Sequence, residues 1–170
     1  AEDEAPGRGA FTVSVDLVDG NTTGSSPADQ ARTIAALARA EVAADDFARP
    51  GHVFPLRARE GGVLKRAGHA EAVVDLCRLA GLSPVGVVAD LVSVTGDMMP
   101  LDDAAAFAAD NDLLLVSIAD VVRHRRKSEI LVEQMGVARV PTKHGDFMCH
   151  AYRSVLDGVD HIAFVMGDVD

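Results

Sequence analysis

The sequence predicts an α/β chain of the α+β kind: a mixed sheet covered by helices, with a short β-rich C-terminal tail. Three observations predict it. Strand-like and helix-like segments alternate from residue 11 to about residue 130, the rhythm of a sheet flanked by helices. Two runs, "VGVVADLV" and "LLLVSI", are apolar without alternation, as strands covered on both faces are. Beyond residue 136 the helical period gives way to short segments divided by the turn signals "HGD" and "DGVD".

Each element follows from its residues. In "FTVSVDLV", Phe11, Val13, Val15 and Leu17 alternate with Thr12, Ser14 and Asp16, the period of a half-buried strand. "DGNTTGSS" breaks it. Ser26 is a good N-cap, Pro27 suits the first helical position and Asp29 meets the positive end of the dipole, so a helix is expected over residues 27–43, with Ile34, Leu37, Ala38 and Val42 on its apolar face. Residues 45–68 read as one long loop, rich in arginine, proline and glycine. A second helix should start near His69 and stop at Gly81, with Val73, Leu76, Cys77 and Ala80 inward. Residues 85–92 and 113–118 are then buried strands, "LDDAAAFAADN" a helix, and "ADVVRHRRKSEILVEQM" a basic, polar helix. Two or three strands follow from Val137. A domain boundary is expected between residues 128 and 136, giving domains 1–130 and 131–170.

Bulk properties narrow the function. A 170-residue chain, 48% hydrophobic and 25% charged, suits a folded globular protein. Its formal net charge of −10 disfavours nucleic acid and anionic membranes as partners, so an anionic ligand needs a local basic pocket. Cys77 and Cys149 lack metal or disulfide spacing, no run reaches a membrane-spanning length, and the acidic start does not look like a signal peptide. A cytoplasmic location is expected.

The stretch "RPGHVFPLRAREGGVLKRAGHAEA" carries the chemistry. His52 and His69 are groups able to move protons or bind metal near neutral pH. Arg66, Ala67 and Gly68 lead into a helix start, where free N–H groups, the dipole and a neighbouring guanidinium favour phosphate. Thr22 and Thr23 in "GNTTGSS" offer hydroxyls beside another helix start. The plainer reading is a set of turns with a solvated basic rim, and on chemistry alone the two readings stay open.

The motifs "DGNTTGSSPADQARTI", "RPGHVFPLRAREGGVLKRAGHAEAVVDLCRLAGLSPVGVVADLV" and "LLLVSIADVVRHRRK" resemble 3,4-dihydroxy-2-butanone 4-phosphate synthases of riboflavin biosynthesis, over residues 11–127. The tail resembles the opening strands of GTP cyclohydrolase II, the domain that follows in bifunctional riboflavin enzymes. The resemblance implies a homodimeric, Mg²⁺-dependent lyase, with Mn²⁺ as an alternative, that converts D-ribulose 5-phosphate to the four-carbon phosphate and formate. It implies His69 as a Mg²⁺ ligand, His52 as a proton carrier, Asp90 as a further catalytic residue, and Arg66, Ala67, Gly68, His69 and Ala70 as the segment that holds substrate; the hydroxyls of Thr22 and Thr23 are further candidate substrate contacts.

Departures from the family pattern are also visible. The family's acidic loop, which supplies further metal and substrate ligands, precedes the point where this chain starts, and "AEDE" at residues 1–4 is expected to be solvated. Asp90 stands for a glutamate, Ala70 for a threonine and Gln30 for an arginine. The tail holds only Cys149 against a three-cysteine zinc site, and neighbouring strand residues such as Cys149 and His150 face opposite ways, so no zinc is expected here. The competing expectation is a divergent, non-catalytic homologue that binds phosphosugar or serves as a dimer partner.

Overall fold

A computed structural model describes residues 10–168, so the expectation for residues 1–4 lies outside the described residues. The chain is α+β, with a β-rich tail as expected, and it divides into two compact units, Ala1–Val122 and Arg123–Asp170.

In the first unit the alternating N-terminal stretch becomes two short strands, β1 (Ala10–Phe11) and β2 (Val15–Leu17). Val15 and Ser14 are buried while Phe11 and Val13 are exposed, so strict alternation fails at the break between the strands. The first helix, α1 (Pro27–Leu37), starts where expected, with the Ser26 hydroxyl accepting from the Asp29 N–H, and stops six residues short of the expected end. Its buried face consists of Asp29, Thr33 and Ala36. Two of these are polar because they hold backbone: Thr33 Oγ1 accepts from the Leu17 N–H and the Asn21 amide, both at 3.0 Å.

The expected loop 45–68 is largely structured. After a 3₁₀ turn (Ala44–Asp46) come β3 (Phe47–Val53) and β4 (Leu56–Arg57), then a second 3₁₀ turn (Gly62–Leu64). β3 pairs antiparallel with β2 and β4 with β1. Phe47, Ala48 and Val53 pair with β2, while the turn-like "RPG" lies between these pairs, and the Arg49-Pro50 peptide bond is cis. Val15, Ala36 and Phe47 form one small core, with Leu17, Leu37 and Val42 against it.

The next helix, α2 (His69–Leu79), begins at the expected residue, but its buried face is Glu71, Ala72 and Asp75, while Leu76 is exposed. The reason is again backbone fastening. Both Glu71 and Asp75 accept N–H groups from the preceding segment. Ala72 joins Val63 and Val121 in a second core.

Residues 85–92 and 113–118 form no strand; Val87 and Val88 are exposed, as are Leu113 and Leu114. An apolar run states a tendency to be covered, but a strand also needs a hydrogen-bonding neighbour along its length; among the described residues the first run has only the bridge of Val92 with Met98 and the Met99 N–H on the Leu91 carbonyl, both at its end, and the second pairs with no strand. The first of them lies along α2, where Gly86 approaches Val73. Helix α3 (Leu101–Asp110) forms as expected, and α4 (Ile118–Ser128) ends before "ILVEQM", which enters a strand instead.

The second unit is an antiparallel meander of β5 (Val132–Thr142), β6 (Gly145–Ser154) and β7 (Asp160–Val165). Arg139 pairs with Asp146 and Arg153 with Asp160, each linking adjacent strands, and Phe147 and Phe164 meet edge to face.

Candidate active site

The register of β2 on β3 creates the site. Val15 pairs with Val53 and Asp16 with Ala48, so residues 49–52, "RPGH", bulge out of the ladder between these two pairs. Gly51 is required there: a Cβ would lie 2.1 Å from the Val15 carbonyl carbon. Its N–H is bonded to the Ser14 carbonyl at 3.1 Å.

The bulge folds His52 onto Asp16. The Asp16 carboxylate accepts the His52 backbone N–H at Oδ1 (2.9 Å) and meets the ring Nδ1 at Oδ2 (2.6 Å). These bonds, the backbone one first, hold the Asp16 carboxyl below its ordinary value, so it is an ionised acceptor and Nδ1 must donate. Nε2 is then left as the basic nitrogen of a half-exposed ring. This arrangement, an imidazole oriented by a carboxylate, suits proton transfer.

The hydroxyl-rich loop lies beside it. Asp29 is fully buried and accepts from the Thr22 hydroxyl (2.8 Å), the Thr22 N–H (3.3 Å) and the Gly24 N–H (3.1 Å), and it pairs with Arg32. The Thr22 hydroxyl leads the causes that hold the Asp29 carboxyl far below the usual range, against the opposing effect of burial. Thr22 is thereby committed to Asp29, whereas the Thr23 hydroxyl is exposed and bonds Ser25.

At the other end of the stretch, Gly68 caps α2 without a side chain, so the N–H groups of the first turn have no intrahelical acceptor. The fully buried Glu71 uses one oxygen for the Arg59 N–H (2.8 Å) and the other for Arg66 Nε (3.0 Å). Arg66 is thus fixed next to a helix start, as an anion site requires.

A cavity of about 430 Å³ opens beside His52, between α1 and α2, walled by His52, Gln30 and Ala70 with apolar side chains including Phe54, Val73 and Val87. It brings together His52 and Ala70 of the expected set. Thr22, Thr23, Arg66, Ala67, Gly68, His69 and Asp90 stand outside its walls, with His69 and Asp90 exposed. Among the described residues no three His, Cys, Asp or Glu side chains gather as a metal site, so His69 alone does not fit Mg²⁺, which wants several oxygen ligands.

Three carboxylates at this site escaped the sequence reading. Alternation marks Asp16 as an outward-facing strand residue, its place in the first turn marks Asp29 as a dipole partner, and Glu71 stands in the sequence only as part of "GHAEA". Their common signal is an acidic residue one turn into a helix, or on a short strand, next to a glycine-rich segment whose N–H groups lack other acceptors.

The geometry has close parallels. A family model described as 3,4-dihydroxy-2-butanone 4-phosphate synthase matches residues 1–124, and one described as GTP cyclohydrolase II matches residues 133–170. The chain is 55% identical to the bifunctional riboflavin biosynthesis protein RIBA 1, chloroplastic, of Arabidopsis thaliana, over 94% of this chain and 30% of that protein. It is 53% identical to riboflavin biosynthesis protein RibBA of Salinispora tropica, over 94% of this chain and 40% of that protein. The chain therefore spans less than half the length of either. Among solved structures, RibBX, a two-domain 3,4-dihydroxy-2-butanone 4-phosphate synthase from A. baumannii, superposes with a TM-score of 0.84 at 36% identity, over 98% of this chain and 49% of that one. A synthase in complex with two magnesium ions superposes with a TM-score of 0.67 at 39% identity, over 75% and 65% of the two chains. The bulge with His52, the Asp29-bound loop and the Arg66 turn all fall within the first matched span, and since that span covers most of its length the chain belongs to the 3,4-dihydroxy-2-butanone 4-phosphate synthase family.

Proposed function

We propose that this chain provides a synthase site of riboflavin biosynthesis, converting D-ribulose 5-phosphate to 3,4-dihydroxy-2-butanone 4-phosphate and formate. The observation that carries the reading is the Asp16/His52 pair on the bulge beside the cavity. His52 Nε2 takes a proton from a carbon next to the sugar carbonyl and returns it later, while Asp16 holds the ring and steadies the imidazolium. Asp90 is the further catalytic residue that the family pattern points to. The phosphate rests on the first turn of α2 and Arg66, through residues 66–70.

Mg²⁺ enters as the family's metal, on the support of the relative complexed with two magnesium ions; His69 is one ligand, and the described residues do not complete its shell. Mn²⁺ is an alternative. The protein works as a homodimer, with a synthase domain over residues 1–130 and the beginning of a GTP cyclohydrolase II-like domain over residues 131–170. The two free thiols fit a reducing, cytoplasmic setting. Among the described residues no helix is long and apolar enough to cross a membrane.

The test is formate release from D-ribulose 5-phosphate and Mg²⁺ by the full gene product. Formate is expected, and His69→Ala is expected to abolish its metal-dependent production. A full gene product that releases none would remove the catalytic reading and leave a binding or partner role.

A further inference from the structure

We propose that Gly24 and Asp29 form a positioning latch that holds the Asp16/His52 pair in register, a role that rests on the catalytic reading of His52 for its effect on turnover. Buried Gly24 lies directly against the pair. A Cβ at this position would come within 2.2 Å of Asp16 Oδ2, 2.6 Å of its Cγ and 2.9 Å of His52 Nδ1. The backbone at Gly24 (φ 79°) therefore occupies the space beside the short bond between carboxylate and ring, and no side chain fits.

What presses Gly24 there is Asp29. Its Oδ2 accepts the Gly24 N–H at 3.1 Å and the Thr22 hydroxyl at 2.8 Å, with Oδ1 on the Thr22 N–H at 3.3 Å. Asp29 is in turn immobile. It is fully buried in the first turn of α1, its own N–H is bonded to Ser26 Oγ, and Arg32 closes the remaining side. Next to it, Thr33 ties α1 to β2 at Leu17, one residue beyond Asp16. Helix α1 thus grips both partners of the close approach: the loop through Asp29 and the strand through Thr33. Neither Asp29 nor Gly24 reaches the cavity walls, so both act through the pair and not on substrate.

The latch makes a separable prediction, because Gly20 is a matched control. It has a similar backbone (φ 76°) in the same loop, yet a Cβ there would meet nothing within 4 Å. In the full gene product, Gly24→Ala and the near-isosteric Asp29→Asn should each lower kcat on the order of a hundredfold, the effect of misplacing a proton carrier by about 1 Å. KM should stay unchanged and circular dichroism should remain native. The ¹⁵N signals of the His52 ring should lose the Nδ1–H tautomer in both variants. Gly20→Ala should keep the wild-type tautomer and kcat. Wild-type ring signals and kcat in Gly24→Ala would overturn the proposal, as would an equal loss in Gly20→Ala, which would make the effect one of general loop strain. If His52→Ala itself releases formate at the wild-type rate, the catalytic reading fails separately, and the ring signals alone judge the positioning claim.

Discussion

Asp16 spends both carboxylate oxygens on one residue, Oδ1 on the His52 backbone and Oδ2 on its ring, so the imidazole is fixed in both position and tautomer. Asp16→Asn keeps the shape but turns one of these acceptors into a donor. It should cost turnover on the order of a hundredfold, measured as formate release, with the fold retained. Acid should act on the same residues. Asp16 and Asp29 both titrate below their ordinary value of 3.8 in the folded chain. Each therefore contributes stability that is fully present above the unfolded value and lost as pH falls through the lowered folded one. Melting temperature should decline below about pH 4, and Asp29→Asn should flatten that decline. His52 is singled out by the family block "RPGHVFPLRA", since a lone histidine after glycine in a polar loop reads on its own as a solvated residue. Asp16 is not, because its partner is 36 residues away and alternation assigns it to solvent along with Thr12 and Ser14.

The bulge at residues 49–52 and the starts of two helices do the positioning. Gly51→Ala places a methyl group against the Val15 backbone, which cannot swing aside as a side chain would. The expected cost is about 1–3 kcal/mol in chemical denaturation, with activity lost in proportion to the displaced His52. Glu71→Ala should destabilise the chain by about 3 kcal/mol, because the Arg59 N–H and the Arg66 guanidinium lose a buried acceptor. Both helix starts were readable to the residue, since Ser26 with Pro27, and Gly68 before His69, are local signals. Strand β3 was not, because its middle has the composition of a turn and only the residues that flank that middle pair with β2. The runs at 85–92 and 113–118 erred the other way: their apolar character is plain, but pairing is a property of a neighbour and cannot be read from the run itself. On α1 and α2 the expected apolar faces were displaced by Thr33, Asp29, Glu71 and Asp75, whose hydrogen bonds decide which side turns inward.

At the scale of the molecule, the two units differ in how they are held. The first has two small cores and fully buried polar anchors. In the second, no described residue is buried, and the three strands rely on their ladder, the Arg153 and Asp160 pair and the two phenylalanines. Amide hydrogen exchange on this chain should therefore be slower in α1, β2 and β3 than in β5, β6 and β7; equal protection would contradict that ranking. The fold class and the β-rich tail were readable from the alternation of segments, while the pairing of strands across the chain was not. Formate released from D-ribulose 5-phosphate by the full gene product, with His52 present and with His52→Ala, measures the pair's proposed chemistry most directly. A fall on the order of a hundredfold or more is expected from losing the oriented base; an unchanged rate in the variant would contradict a proton-carrying role for His52.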